Sequence, residues 1–294
     1  MKPDRRFGAL DRSFWACVRS LSQEIGYTAR GEDRVKVPSV VQMQEAFIAL
    51  ELNPRAISDN YGTTTELARR LYDYFEYRAE ILDTIVSKKL MDDVAARTLF
   101  DKYRKEFRPA CPLPMNKQKG AMKAPAFLTG LVNMMVEHYS DGAECDYDPR
   151  KLTTITKNGF PLRTLARRVD GAFPKSVNPV AIWEVKEYYY TTTFGSRVAD
   201  GVYESLLDGM ELEELREAER VDIKHYLMVD AYQTWWIKGK AYLCRIIDML
   251  NMGYVDEVLF GREVVEEMPR LVREWVQLTK SHSSRGRADP PACP

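Results

Sequence analysis

The chain has 294 residues, of which 45% are hydrophobic and 29% are charged, and Lys plus Arg equal Asp plus Glu at 43 each, so its formal net charge is zero. This composition indicates an ordinary globular protein with a sizeable core, and the length allows one large domain or two modest ones. A neutral net charge neither favours nor excludes a nucleic-acid partner, because only the distribution of the charge decides that.

The five cysteines and three histidines are scattered along the chain, and no Cys-x-x-Cys pair occurs. An odd, dispersed set of cysteines is a poor disulfide framework and a poor zinc or iron–sulfur site, which favours a reducing, cytoplasmic location. The charged N-terminus predicts no secretory signal, and no apolar run is long enough to predict a transmembrane helix. The sequence therefore predicts a cytoplasmic protein without a membrane partner.

Residues 1–110 are predicted to form a helical subdomain. Thr63 and Glu66 fit a capping box at the start of one of its helices. The stretch 56–75 also has features of a helix-turn-helix, and the alternative is a set of helices that packs on the rest of the chain. Apolar residues at helical spacing predict helices over residues 12–25, 39–52, 63–90 and 91–107.

The second half of the chain has a different pattern. A proline-rich segment, 111–124, is predicted to be a linker, because proline cannot continue regular structure. Helical and strand patterns alternate over 125–280, which predicts an α/β (α+β) fold with a mixed central sheet flanked by helices. The tail, 281–294, is predicted to be disordered. The predicted elements span 126–139 (helix), 167–173 and 180–188 (strands), 196–220 (helix), 225–231 (strand), 234–253 (helix), 255–261 (strand) and 264–278 (helix).

Two residues of opposite charge, Glu184 and Lys186, lie two positions apart within the strand predicted over 180–188. Glu184 and Lys186 follow four uncharged positions, and alternation along a strand places both side chains on one face. The same acid-x-lysine spacing also occurs at Asp222–Lys224, so the spacing alone carries no information. Removing two charges from water costs several kcal/mol unless something compensates, and a structural ion pair and a metal site are the two interpretations.

Asp170 is the acid that favours the metal site. It ends a preceding apolar and basic strand, and Gly171 allows the chain to turn directly after it. Thirteen residues separate Asp170 from Glu184, which is about what a hairpin of two adjacent strands requires. The two carboxylates would then lie at neighbouring points of one sheet, and carboxylate oxygens are the ligands that Mg²⁺ prefers.

This arrangement resembles the PD-(D/E)xK nuclease superfamily, the fold of most type II restriction endonucleases. The likeness rests on "VDGAFP…VAIWEVK", on the helix-strand-strand-helix-strand order around it and on a preceding helix with an acid, and it covers residues 120–262. Val169 stands where the name of the superfamily has proline. The resemblance implies that Asp170 and Glu184 bind Mg²⁺ and that Lys186 positions or activates the attacking water.

The resemblance also implies a further acid from the first helix of the fold. Glu137, on the helix predicted over 126–139, is the candidate for this catalytic role, and Glu144 is the competitor. A solvated surface glutamate is the alternative for either residue.

A DNA substrate requires basic residues around the site. The acidic residues 204–222 are expected to face away from DNA, and Tyr188 and Tyr190 would share the face of the site, where they contact a sugar or base or belong to the core. Ser196 begins a predicted helix, whose free N–H groups can hold a phosphate. The candidates for DNA contact are Arg163, Arg167, Arg168, Ser196 and Arg197, with Lys117 and Lys119 in the linker.

These features predict a Mg²⁺-dependent endonuclease of the type II restriction kind, which cuts double-stranded DNA at a specific site. Restriction enzymes of this kind usually act as homodimers, because a two-fold site on DNA matches a two-fold protein, so a homodimer is implied. The alternative is a non-catalytic interaction or DNA-binding protein in which Glu184 and Lys186 form a structural pair.

Overall fold

The structure, a computed structural model, describes residues 1–28, 34–190 and 195–285. The helices are α1 Arg12–Ile25, α2 Val40–Ala49, α3 Glu66–Ile81, α4 Ser87–Lys89, α5 Asp93–Phe107, α6 Phe127–Tyr139, α7 Ser196–Glu219, α8 Lys240–Asn251 and α9 Glu263–Arg285. The strands are β1 Thr154–Lys157, β2 Phe160–Thr164, β3 Gly171–Phe173, β4 Ala181–Glu187, β5 Lys224–Asp230 and β6 Glu257–Phe260. Short π-helical segments over Leu82–Val86 and Gln233–Lys238 precede α4 and α8.

A four-stranded mixed sheet, in the order β3-β4-β5-β6, organises the second half of the chain. β3 and β4 form an antiparallel pair, whereas β4, β5 and β6 are parallel. Parallel neighbours need a long crossover, and α7 and α8 lie in the two crossovers of this sheet. The prediction of a mixed α/β protein with a small sheet flanked by helices is therefore confirmed.

Gly171 is required by packing, not by the turn that the sequence suggested. It is the first residue of β3 and pairs with Trp183 on β4. A Cβ atom at position 171 would lie 2.0 Å from the indole ring of Trp183, so only glycine fits here without displacing that ring. The close approach brings the start of β3 against β4, immediately after Asp170.

The two faces of the sheet pack against different helices. Trp183 and Tyr226 face α6 and α9, where the Trp275 ring stacks on Trp183 with 5.3 Å between ring centroids. Leu227, on the other face of β5, belongs to the core shared with α8 and the N-terminal helices. Because side chains alternate along a strand, Glu184 lies on the face opposite Trp183, and that face is the one that α7 covers.

The N-terminal helices pack on the rest of the chain, which is one of the two alternatives that the sequence left open. Leu71 of α3 lies in the same core cluster as Ile247 of α8 and Val258 of β6. Arg78, also of α3 and 1% exposed, pairs with Asp248 of α8 at 2.9 Å. Apolar packing and an ion pair therefore join the N-terminal helices to α8.

Several local features differ from the sequence-based expectation. The predicted capping box with Thr63 is wrong, because Thr65 caps α3 and its hydroxyl accepts the N–H of Ala68 at 3.2 Å. The β1–β2 hairpin was not predicted. Helix α9 extends past the predicted start of the tail, and residues 286–294 lie outside the described residues. None of the helices in the described ranges combines the length and apolar character needed to cross a bilayer.

Candidate functional site

The β3–β4 hairpin brings Asp170 next to Glu184. The backbone N–H of Asp170 donates to Glu184 Oε1 at 3.2 Å, and Asp170 Oδ2 accepts the N–H of Val185 at 2.8 Å. Lys186, two positions after Glu184 on the same face, donates from Nζ to Glu184 Oε2 at 2.7 Å. Asp170, Glu184 and Lys186 therefore form one cluster near the carboxyl end of β4.

Glu184 is buried in this cluster and held by two cations. Its side chain is 0% exposed, and Arg167 forms a bidentate pair with it, Nη1 to Oε1 at 2.9 Å and Nη2 to Oε2 at 3.1 Å. Burial alone would raise the pKa of Glu184, but Lys186 and Arg167 lower this pKa below its ordinary value. Glu184 is therefore an ionised carboxylate whose two oxygens both accept charge-assisted hydrogen bonds.

Two acids of α7 complete the network. Glu204 Oε2 accepts from Lys186 Nζ at 2.8 Å and from Arg167 Nη2 at 3.3 Å. Asp208 Oδ2 accepts from Arg167 Nη1 at 2.6 Å, whereas Asp208 Oδ1 is buried and has no partner in the described part of the chain. Residues 204–222 are expected to face away from DNA, yet Glu204 and Asp208 lie against the cluster that contains Glu184 and Lys186. The spacing of four between Glu204 and Asp208, which places both on one face of a helix, is the signal that could have identified them.

The network carries more negative than positive charge. Burial first, and then the charge of Glu184, raise the pKa of Asp170 to about 6 and that of Asp208 to about 7. Burial alone would lower the pKa of Lys186, but Glu184 and Asp170 raise it above its ordinary value. Lys186 is therefore a permanent ammonium near neutral pH. The four acids Asp170, Glu184, Glu204 and Asp208 face the two cations Arg167 and Lys186.

The donor types in this cluster suit a hard cation. Asp170 and Glu184 offer carboxylate oxygens, which Mg²⁺ takes in preference to nitrogen or sulfur. No three His, Cys, Asp or Glu side chains within residues 1–28, 34–190 and 195–285 are grouped so that they could hold a metal ion. The candidate ligands are therefore only the carboxylates of Asp170 and Glu184. Two protein ligands fit Mg²⁺, because this ion usually keeps several of its waters. Binding to Glu184 would require Arg167 to release at least one oxygen.

A cavity of about 330 Å³ opens beside Asp170 at the carboxyl end of β4. Residues from the predicted linker, from α6 and from the segment after β4 line it, and Glu184 and Lys186 do not. Glu187 at the end of β4 accepts the N–H of Leu128 at 2.9 Å and the hydroxyl of Thr129 at 2.7 Å, so its carboxylate caps the start of α6. The cavity and the ionic cluster therefore meet at Asp170.

Comparison with known families covers nearly the whole chain. A family described as a domain of unknown function, DUF7687, matches residues 91–275, which is more than half of the chain. The chain belongs to this family. A second domain of unknown function, DUF7690, matches residues 1–85. No curated protein and no solved structure matches the chain. The ionic cluster and the cavity both lie in the DUF7687 region.

The other acid proposed from the sequence lies elsewhere in the DUF7687 region. Both carboxylate oxygens of Glu137 accept the backbone N–H of Ala110 at 3.1 Å, near the C-terminal end of α6. Glu137 does not line the cavity beside Asp170. Its competitor Glu144 is exposed. The structure therefore does not bring either glutamate into contact with Asp170 or Glu184.

The predicted DNA contacts fall into three groups. Arg167 lies inside the ionic cluster, and Arg163 pairs with Glu214 of α7 at 2.5 Å. Lys117 and Arg197 are exposed and line the cavity. The remaining three, Arg168, Lys119 and Ser196, are exposed and do not line the cavity.

Proposed function

We propose that this protein is a Mg²⁺-dependent endonuclease that hydrolyses phosphodiester bonds of DNA, with its catalytic cluster in the DUF7687 region. The observation that carries the proposal is the convergence of Asp170, Glu184 and Lys186 on one hairpin, where Glu184 accepts the backbone N–H of Asp170 at 3.2 Å and the ammonium of Lys186 at 2.7 Å. Two carboxylates beside a lysine are the set that the resemblance to PD-(D/E)xK nucleases implies for Mg²⁺ and the attacking water.

The order of elements around the cluster supports a restriction-endonuclease-like core. Strands β1 and β2 lie between α6 and β3 but form a separate two-stranded sheet; apart from them, α6, β3, β4, α7 and β5 follow the helix-strand-strand-helix-strand order on which the resemblance rests. The segment at Asp146 adds to this sheet, because Asp146 and Ala172 exchange backbone hydrogen bonds at 3.0 and 2.9 Å along the outer edge of β3. This isolated bridge therefore covers part of the outer edge of β3, the edge strand of the sheet.

The chemistry assigned to each residue follows from its environment. Asp170 and Glu184 would hold Mg²⁺ through their carboxylate oxygens, and a bound Mg²⁺ supplies Lewis-acid catalysis and an activated water. Lys186 is an ammonium near neutral pH, because its pKa is raised, so it does not act as a base. We infer that it stabilises the negative charge that develops on the phosphate oxygens.

A second candidate function is a non-catalytic protein on the same fold. The observation that favours it is the full set of partners around Glu184, whose oxygens accept from Arg167, Lys186 and the N–H of Asp170. A buried ion network of this kind can serve structure or specificity of folding without any metal. The nuclease candidate therefore requires Arg167 to release an oxygen of Glu184 so that Mg²⁺ can bind it, whereas the non-catalytic candidate does not.

Cleavage assays on matched variants separate the candidates. Plasmid and phage DNA, methylated and unmethylated, would be incubated with Mg²⁺ and with wild type, Asp170→Asn or Lys186→Met. Lys224→Met is the control, because Lys224 follows Asp222 with the same spacing and pairs with it at 2.7 Å outside the cluster. We expect cleavage by wild type and by the control, and a loss of about 100-fold or more in both cluster variants. DNA left equally intact by all four proteins on every substrate contradicts the nuclease proposal.

The restriction role and the homodimer belong to the same proposal and have their own measurements. Discrete fragments on phage DNA support recognition of a specific site, whereas a continuous smear contradicts it. Sedimentation velocity measures the oligomeric state directly, with and without DNA. Replacement of Mg²⁺ by Ca²⁺ should allow DNA binding without cleavage, and equally fast cleavage in Ca²⁺ or EDTA contradicts the metal mechanism.

A further inference from the structure

The cavity beside Asp170 has walls that suit a flat ring. Tyr147, Tyr188 and Tyr190 line it together with prolines of the predicted linker, Pro112 and Pro114. Planar and apolar surfaces of this kind are what nucleobases stack on in proteins that bind unpaired strands.

The walls are fixed by contacts of their own. The ring of Tyr188 stacks on Trp235 with 5.6 Å between centroids, and the hydroxyl of the neighbouring Tyr189 bonds to the buried Asp230. In the linker, Asn116 Nδ2 donates to the carbonyl of Met122 at 2.9 Å, which holds this loop closed. A cavity held in this way needs little reordering when a ligand binds, and such pre-organisation favours affinity.

Charge at the cavity suits a polyanion that passes Asp170. Lys117 and Arg197 line it with exposed side chains, and in the described part of the chain neither forms a salt bridge. Two of the acids at the cavity have partners of their own, because Glu187 caps α6 and Asp148 pairs with Arg150 at 2.8 Å. Lys117 and Arg197 therefore lie on the same cavity as Asp170, one of the two proposed Mg²⁺ ligands.

We propose that this cavity holds one unpaired nucleotide of a nucleic-acid strand, with the base on the tyrosines and the adjoining phosphates at Lys117 and Arg197. The inference rests on the proposed hydrolysis of phosphodiester bonds and deepens it, because it names the substrate as a strand with a single-stranded or extruded nucleotide. It departs from the restriction role, which requires paired DNA and which tighter binding of the duplex would favour. At about 330 Å³ the cavity has the size of a small-ligand site and does not admit a base-paired duplex.

The substrate preference follows from this placement. A base that is already unpaired enters without unstacking from a duplex, so single-stranded or mismatched positions bind best. Aromatic stacking accepts every base, so the cavity itself adds little sequence preference. A fully paired strand would have to extrude a nucleotide before its backbone could reach Asp170.

Fluorescence of a base analogue tests the inference on the full-length protein. An oligodeoxynucleotide of about 12 nucleotides, within the usual site size, would carry a central 2-aminopurine and be titrated with Ca²⁺ in place of Mg²⁺. We expect tighter binding than for the matched duplex and a quenched 2-aminopurine signal. Tyr190→Ala should weaken binding by about tenfold, Tyr190→Phe should retain it, and Lys117→Ala should weaken it with a smaller salt dependence. Tyr72→Ala, on an exposed tyrosine of α3, is the control.

Several outcomes would overturn the inference. These are equal affinity of Tyr190→Ala and wild type, an unchanged 2-aminopurine signal on binding, or tighter binding of the duplex. A loss in Tyr190→Phe as large as in Tyr190→Ala also overturns it, because the ring is retained. Binding is measured without cleavage, so the two proposals fail separately. If DNA is cleaved in a Lys186-dependent manner but 2-aminopurine fluorescence does not change on binding, only the proposal for the cavity fails. If the fluorescence change depends on Tyr190 but no DNA is cleaved, only the nuclease proposal fails.

Discussion

Arg167 and Glu184 form a bidentate ion pair, Nη1 to Oε1 at 2.9 Å and Nη2 to Oε2 at 3.1 Å, in which the carboxylate is fully buried. The sequence presents Arg167 as a DNA contact, but its guanidinium contacts the candidate catalytic acid. A bidentate pair fixes orientation as well as charge, so Arg167 positions Glu184. It also competes with any metal ion for the same oxygens.

The first prediction concerns Arg167→Leu. This change leaves the buried Glu184 and Asp208 without their shared cation, and removal of one partner from a buried pair costs about 3–5 kcal/mol. We expect the free energy of unfolding, measured by urea titration, to fall by that order. Arg168→Leu, at the exposed neighbouring position, should change it by less than about 0.5 kcal/mol. Equal effects of the two changes would show that the pair is not a structural support.

The second prediction concerns pH. Burial, the first cause in each case, raises the pKa of Asp170 to about 6 and those of Asp208 and Asp230 to about 7. Each of these carboxyls holds its proton more tightly when folded, so its contribution to stability is present below the unfolded pKa of about 4 and is lost as pH rises through the folded value. The free energy of unfolding should therefore fall between about pH 5 and pH 7.5. Glu184, whose pKa is lowered, acts in the opposite sense below about pH 4.5.

Asp208→Asn tests the origin of this slope. A shift from about 4 to about 7 corresponds to at most about 4 kcal/mol, at about 1.4 kcal/mol per pKa unit. The variant should therefore lose about a third of the pH dependence that urea titrations show between about pH 5 and pH 7.5, because Asp170 and Asp230 keep their contributions. Asp200→Asn, an exposed position on the same helix, should keep the wild-type slope. The same slope in Asp208→Asn as in wild type would assign the pH dependence to other groups.

The third prediction concerns Glu137. Its carboxylate accepts the N–H of Ala110 and lies ten residues after the start of α6, or about 15 Å along the helix axis. Glu137→Gln should therefore cleave DNA within about threefold of the wild-type rate, whereas Asp170→Asn should lose about 100-fold or more. Initial rates of Mg²⁺-dependent plasmid cleavage provide the comparison. A loss in Glu137→Gln that matches Asp170→Asn would establish Glu137 as part of the catalytic set.

Sequence patterns predicted the structural elements that depend on residues close together in the chain. The helical periodicity of residues 12–25 matches α1 at both ends, because the spacing of apolar residues and the cap at Asp11 are both encoded within a few positions. The distance between Asp170 and Glu184 predicted their hairpin, and alternation predicted the shared face of Glu184 and Lys186. The β1–β2 hairpin also had a local signal, the Asn158-Gly159 turn, whose φ angles of 53° and 77° suit such residues.

The remaining features depend on which distant elements meet. Glu204 reaches Lys186 only because α7 docks on that face of β4, and nothing in the spacing of Arg167 distinguishes an internal partner from a phosphate. The cavity needs residues 112–118 beside residues 188–190, which lie about 70 positions apart in the sequence. Contacts of this range are decided by tertiary packing: the spacing of Glu204 and Asp208 indicates that they share a helix face, but not which residues that face meets.

The last prediction concerns the contact between the first helices and α8. Arg78 and Asp248 are both buried, and Asp248 also accepts the hydroxyl of Tyr74 at 2.5 Å. Arg78→Leu should lower the free energy of unfolding by about 3–5 kcal/mol, because it leaves a buried carboxylate without its cation. The double variant Arg78→Leu/Asp248→Leu should lose less than the sum of the two single changes, because the residues interact directly.

Arg70→Leu on the same helix is the matched control. Arg70 pairs with Glu66 at 2.6 Å, but both side chains are more than half exposed, so loss of this pair should cost about 0.5 kcal/mol or less. Urea unfolding followed by tryptophan fluorescence and by circular dichroism measures each variant. A cost for Arg78→Leu no greater than that for Arg70→Leu would show that the apolar core cluster to which Leu71 and Ile247 belong holds the two parts together without the ion pair.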